Sequence, residues 1–301
     1  MIIPFFTGLL LIFTIAILTY SYYNKPKDGL FAILILISFI LIINQDWYAS
    51  ALSISLLIYS LLFAKETSYI QLATFSMIGS IVFGFFLFNY FTGNQLVHTT
   101  WVIIGTLILM CYLTIQGIFE DDLEKYLIIS NFIQTLFVFL DLSVASVSGS
   151  IAKLGTIQIF NYTFAGSLLF LTLGILSKDN RRTKISQLRG SNYRNSLITF
   201  CASIAALSLS GVPGLNMFVS EWLLFQKAFL ISPVITIFGI FLALLLFVMY
   251  FKLVYVLSVG DSKVKERSPV LLNIISVSLS IICILFGLLP NLQYLILGLV
   301  G

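Results

Sequence analysis

The chain has 301 residues, of which 59% are hydrophobic and 9% charged, with a mean hydropathy of +1.08. Soluble globular proteins carry about 25% charged residues, so these values point to a polytopic membrane protein and leave no room for a soluble domain of useful size. The net charge of +4 comes from 16 Lys and Arg against 12 Asp and Glu, scattered among loops rather than gathered into the basic face that nucleic-acid binding needs.

A bilayer crossing takes about 20 apolar residues, and on that measure the apolar runs give about eleven segments. Ile2–Tyr20, Gly29–Ile43, Trp47–Phe63, Tyr69–Phe91 and Thr100–Phe119 form the first part. Tyr126–Ser143, Leu154–Ile175 and Leu197–Gly211 follow, then Leu215–Ile231, Val234–Leu257 and Pro269–Leu289, with an apolar tail at Leu292–Val300. Ile2–Tyr20 lacks the basic start and small-residue cleavage site of a secretory signal, so it is expected to be retained as a helix. The runs are too long and continuous for β-barrel strands. The expected fold is therefore all-α: one polytopic transmembrane bundle with a broken helix near Gly211, Pro213 and Gly214.

Lys25, Lys27, Lys65, Lys125 and the polar interval Lys178–Arg194 fall on one side if every earlier segment spans. Lys153 and His98 fall on the other. The positive-inside rule would make the basic side cytoplasmic. Lys263, Lys265 and Arg267 join it only if Leu215–Leu257 is one broken crossing, so the sequence leaves orientation open. Arg181 and Arg182 are expected to meet a partner subunit or anionic lipid head groups; a merely solvated loop is the alternative.

Cys111, Cys201 and Cys283 lie far apart inside apolar spans and read as small hydrophobes. His98 is the sole histidine, so no haem, zinc or di-iron site is expected, and no cofactor. No phosphate-binding glycine loop or nucleophilic triad is present, and the chain is not expected to be catalytic by itself.

Glu221 is the most informative residue. A carboxylate at membrane depth costs about 2.5–3.5 kcal/mol on insertion scales and persists mainly where a partner or water meets it. Just before it, Pro213 removes an N–H, and Gly211 and Gly214 tolerate unusual backbone angles, so the helix is expected to unwind there. Unwound backbone within a bilayer survives only inside protein or against a wet cavity, and transporters build ion sites this way. Lys227 is a candidate partner for Glu221, provided the break relaxes their six-residue spacing; a neighbouring serine, Ser208 or Ser220, is the alternative. Lys252 and Asp141 are further candidates for an ion path. The competing expectations are that Lys252 snorkels to the interface and that Asp141 is a solvated acid or cap near the membrane surface. The acidic run Glu120–Glu124 suits a helix N-terminus.

Three blocks then carry a family resemblance. Asp122–Phe137 resembles the "D-[IL]-K-R-x-[IL]-A-Y-S-S" helix start of the antiporter-like subunits of respiratory complex I, which have relatives in membrane-bound hydrogenases and multisubunit sodium/proton antiporters. Ile157–Phe170, with the later Leu188–Gly190, is similar to that family's "H-x-x-x-K-[AG]-L-L-F" and "[LM]-x-G-L". Ser210–Glu221 is similar to "G-[IM]-P-[PG]-x-x-x-F-x-[SG]-[KE]", the most specific of the three. The resemblance implies that Glu221 stands at the family's broken-helix lysine or glutamate, in a chain of buried charges along the membrane midplane. It also implies a membrane-arm subunit of a complex I-type NADH:quinone oxidoreductase, working with other membrane subunits in an energy-coupling membrane, either mitochondrial inner or prokaryotic plasma. Tyr162 departs from the family's histidine and Gly166 from its lysine. The resemblance divides the chain into a diverged first half (1–119), an antiporter-like second half (120–260) and a C-terminal helix (261–301), and implies shortening at the N-terminus. Three functions compete: a proton-translocating subunit, a non-pumping spacer in the same kind of complex, and a stand-alone transporter. The last is disfavoured because a lone carrier should show a site in both halves.

Overall fold

The computed structural model describes residues 100–148, 151–177, 181–260 and 265–296. The four expected segments before Thr100, with Lys25, Lys27, Lys65 and His98, lie outside the described residues, as do Lys178 and Lys263. Helices dominate what is described: α1 Thr100–Phe119, α2 Leu123–Ser148, α3 Ile151–Leu176, the short α4 Ser191–Arg194, α5 Ser196–Leu209, α6 Asn216–Ile231, α7 Pro233–Ser258, α8 Val270–Leu288 and α9 Pro290–Ile296. Among them α2, α3, α7 and α8 contain stretches long and apolar enough to cross a membrane.

The acidic run does the capping its position suggests. Glu120 Oε1 accepts from the N–H groups of Asp121 (3.1 Å) and Asp122 (2.9 Å), and Asp122 Oδ1 accepts from Lys125 N (3.0 Å). These bonds satisfy donors that the first turn of α2 leaves free.

Three loops meet on one face. The α1–α2 loop pairs with the segment after α3 through Leu123 N to Thr183 O (2.8 Å) and Ile185 N to Asp121 O (2.7 Å). Arg182 Nη1 donates to Leu176 O at the end of α3 (2.7 Å), while Nη2 pairs with Glu266 (2.5 Å). Glu266 N donates in turn to Arg194 O (2.8 Å). Arg182 is thus committed within the protein, and Arg181 beside it stays exposed. Lys265 and Arg267 belong to the same face as Arg194. The parity expected from one broken crossing therefore holds, but the crossing is composed differently. The break joins α5 to α6, and α7 is an unbroken 26-residue return.

α3 sits at the centre, with 89% of its span buried, packed by α2, α5, α6 and α8. A helix apolar on all sides belongs in the interior. Its hydroxyls are satisfied locally: Thr163 donates to Ile159 O (2.8 Å), Ser167 to Thr163 O (2.5 Å) and Thr172 to Leu168 O (2.7 Å). Its amides, Gln158 and Asn161, have no such local solution. α7 differs. It presents Val234, Ile237, Phe241, Leu244, Val248 and Phe251 outward, an apolar face suited to acyl chains rather than water.

Candidate functional site

The site is the helix break and what surrounds it. Gly211 and Gly214 both take positive φ, 71° and 91°. Gly211 ends α5 in a Schellman motif, its N–H bonding Ser208 O (2.9 Å) while Val212 N–H bonds Leu207 O (3.2 Å). A 14-residue α5 rises about 21 Å from the basic face. A hydrocarbon core is about 30 Å thick, so the break falls inside it.

Polar side chains from six helices, α2, α3, α5, α6, α7 and α9, gather around the break. Gln134 of α2 donates to Leu209 O (3.1 Å) and to the Tyr250 hydroxyl (3.3 Å), which bonds Ser130 (2.7 Å). Ser208 donates to Asn216 Oδ1 (2.5 Å), and Asn216 Nδ2 donates to Asn161 O (2.9 Å). Asn161 Nδ2 reaches Ser220 Oγ (3.4 Å) and Gln293 Oε1 (3.2 Å).

Glu221 lies in the second turn of α6 and is 4% exposed. Its side chain leans back toward the helix start, as helical side chains do, and the carboxylate packs on Gly211. A Cβ at Gly211 would overlap Glu221 Oε2. The glycine is needed twice over, for its φ and for the space. Gly287 of α8 plays a similar part from outside, since a Cβ there would strike the backbone of Gly214 and Leu215.

Several sequence expectations need correction here. Glu221 and Lys227 form no ion pair; both lie inside α6, after the break, so the break cannot bring them to one face. Glu221 Oε1 is buried without a hydrogen-bond partner. Neither Ser208, bonded to Asn216, nor Ser220, which donates to Met217 O (2.9 Å), satisfies it. Asp141 is not at the surface. α2 continues to Ser148, so Asp141 is two turns inside the helix, 1% exposed, with both carboxylate oxygens buried and unpartnered. Lys252 does not join this group; as the snorkelling expectation has it, the side chain reaches the loop at the basic face. Its Nζ donates to Ile118 O (2.8 Å) and Glu120 O (2.7 Å), closing the C-terminal end of α1.

Buried acceptors without a partner among the described residues concentrate on the helices around the break: Gln134 Oε1, both Asp141 oxygens, Gln158 Oε1, Asn161 Oδ1 and Glu221 Oε1. Such groups cost about 1–3 kcal/mol each when left unmade. Tyr162 bonds Asn131 across α2 and α3, which fixes their register. The amides escaped the sequence analysis because lone Gln and Asn residues interrupt apolar runs without any motif. The available signal was two amides, at 158 and 161, within one turn of an otherwise apolar span.

The departures from the family pattern also have a physical form. The Tyr162 ring lies against Gly166, with its Cε2 2.7 Å from where a Cβ would stand. The tyrosine fills the space a side chain at 166 would take, so the two replacements belong together.

The family described as NADH:quinone oxidoreductase/Mrp antiporter, TM, matches residues 66–247. An uncharacterised protein of Methanocaldococcus jannaschii is 27% identical over 244 residues, 77% of this chain and 50% of that protein. The NADH-ubiquinone oxidoreductase chain 2 of Scyliorhinus canicula is 32% identical over 154 residues, 44% of each chain. The chain thus spans about half the length of these relatives. The solved Mrp complex from Dietzia sp. DQ12-45-1b contains a chain that superposes with a TM-score of 0.66 at 14% identity, covering 89% of this chain and 65% of that one. The resemblance carried by Asp122–Phe137, Ile157–Phe170 and Ser210–Glu221 falls within the matched region. This multi-pass membrane protein belongs to the NADH:quinone oxidoreductase/Mrp antiporter membrane-subunit family.

Proposed function

We propose that the chain is a membrane-arm subunit of a complex I-type NADH:quinone oxidoreductase and passes protons through the pocket around Glu221. The observation that carries this is the two buried carboxylates, Asp141 on α2 and Glu221 on α6, helices that pack on each other, with Glu221 seated against a helix break deep in the apolar layer. Each can take up and release a proton. Ser220, Asn161, Gln134 and Tyr250 supply hydroxyls and amides around the break that can orient water between them. In this reading electron transfer belongs to other subunits of the complex. The identity to a complex I chain 2 supports that assembly, and the likeness to a chain of an Mrp complex supports membrane-subunit neighbours.

By the positive-inside rule, the face bearing Arg181, Lys184, Arg189, Arg194, Lys265 and Arg267 is cytoplasmic, or on the matrix side in a mitochondrion. Arg181 is free for anionic head groups, whereas Arg182 is already spent on Glu266. The spacer reading has one observation in its favour: Tyr162 and Gly166 leave no central lysine on α3. The carboxylate pair outweighs it, since a spacer would gain stability by replacing unpartnered carboxylates with apolar side chains.

Affinity purification of the tagged chain from its own membranes in mild detergent is expected to bring down further membrane subunits and a redox module. Recovery of an active monomer that transports alone in liposomes would overturn the assembly.

A further inference from the structure

We propose that the groove between α1 and α2 at the basic face holds one zwitterionic phospholipid of the ethanolamine type, its phosphate on Lys125 and its ammonium on Glu120. The groove has a volume of about 580 Å³; Ile115, Phe119, Ile128 and Ile129 supply apolar wall, and Glu120 and Lys125 line it as well. Glu120 follows the last residue of α1 and Lys125 lies in the first turn of α2, so both charges sit at the loop end. From Phe119 down to Tyr112, which also lines the groove, α1 descends about 10 Å. Half of a hydrocarbon core is about 15 Å, so the groove stays within the basic-side leaflet. Phe119 is 81% exposed and Tyr112 57%, an open apolar surface with charges at one end. The groove shares no lining residue with the Glu221 pocket, and the proposal stands whether or not the chain passes protons.

The two charges of the groove are held apart. Among the described residues the ion pair is Arg182–Glu266, and Glu120 and Lys125 form none with each other. Glu120 Oε1 is held by the N–H groups of Asp121 and Asp122, which leaves Oε2 to face a ligand. Lys252, the other cation at this loop, is committed to Ile118 O and Glu120 O. Lys125 is exposed and is therefore the cation left for a phosphate. An anionic head group would meet Glu120, Asp121, Asp122 and Glu124, four carboxylates within five residues, and be repelled. A head group carrying both signs matches a groove end that carries both. Ethanolamine fits better than choline, because its primary ammonium donates hydrogen bonds to a carboxylate and a quaternary ammonium has none to give. Below the charges, Gln116 Nε2 donates to the Tyr112 hydroxyl (2.7 Å), so the tyrosine's own proton remains for an ester carbonyl of the lipid. Solvation alone accounts for an exposed Lys125, but not for the apolar groove directly beneath it.

The test places the full chain, in its complex, in nanodiscs of phosphatidylcholine with a trace of phospholipid carrying a diazirine on one acyl chain. Ethanolamine, choline and glycerol head groups are compared, and photolabelling is read by mass on peptides spanning residues 112–129. The ethanolamine probe is expected to label this stretch about tenfold more than the other two. Lys125→Met and Glu120→Gln should each lower that labelling about tenfold, the loss of one charge-assisted hydrogen bond; Glu120→Gln keeps an oxygen to cap α2. Lys184→Met, which removes an exposed cation outside the groove, should leave it unchanged. Equal labelling by all three head groups would make the occupant an unselected lipid of the bilayer and overturn the proposal. No labelling by any of them would show the groove covered by protein and overturn it as well. If either groove variant fails to accumulate, competition in the parent chain decides. Replacing part of the matrix with unlabelled phosphatidylethanolamine should suppress the ethanolamine signal, and the same share of phosphatidylglycerol should not; equal suppression by both would overturn the site.

Discussion

Gly211→Ala is expected to destabilise the protein by about 2–5 kcal/mol, combining the cost of an alanine in the left-handed region, about 1–2 kcal/mol, with an overpacking cost of about 1–3 kcal/mol. Gly211 holds φ at 71°, and its missing Cβ is the space into which the Glu221 carboxylate packs. Neither problem has a cheap remedy, because the Schellman bonds fix the backbone and α6 fixes the glutamate. Thermal unfolding in detergent should show a clear drop in midpoint. The two causes can be separated. In a Glu221→Ala background the methyl has room, so Gly211→Ala should there cost only the conformational part. Equal losses in both backgrounds would show that the glycine serves the turn alone and that Glu221 does not depend on it.

Asp141→Asn is expected to lower proton flux about a hundredfold, on the scale that a positioned proton-transfer group contributes. The amide keeps the shape of the side chain, so the complex should assemble. What disappears is the second buried carboxylate of the helices around the break. Groups acting as one unit lose function non-additively, so adding Glu221→Gln to Asp141→Asn should lower flux little further. Undiminished flux in Asp141→Asn would make Asp141 an inert buried acid and leave Glu221 to act without it.

Much of the fold was legible because long apolar runs bounded by polar residues leave little freedom. α1 runs over Thr100–Phe119, the span read from hydropathy. α2 is longer at both ends than expected, and that error had consequences. Its start moved back to Leu123 because Asp122 caps it, which hydropathy alone does not register. Its end moved on to Ser148 because Ser143, Ala145 and Ser146 continue a helix even though they dilute the apolar run. Asp141 thereby passed from the membrane surface to two turns inside the bundle.

At the site, the break was legible from Gly211, Pro213 and Gly214, since their backbone chemistry is local. Glu221 was legible because a carboxylate in an apolar run demands an explanation. The partners were not. Lys227 attracted attention by nearness in sequence, yet six residues on an unbroken helix point elsewhere. The groups that do gather at the break come from Gln134, Asn161, Tyr250 and Gln293, joined by hydrogen bonds between residues up to 132 apart in sequence. Only the packing of α2, α3, α7 and α9 assembles them. Lys252 shows the same limit from the other side: its two capping bonds to α1 span more than 130 residues.

The most direct test of the account is proton flux through the intact complex carrying Glu221→Gln, in closed vesicles energised by the complex's own redox substrate. Glutamine fits the space beside Gly211 and can still hydrogen-bond, but it cannot release a proton. With subunit composition and electron-transfer capacity verified, the account predicts that protons moved per electron fall in the variant while the complex remains whole. An unchanged proton-to-electron ratio would contradict it and make this chain a spacer.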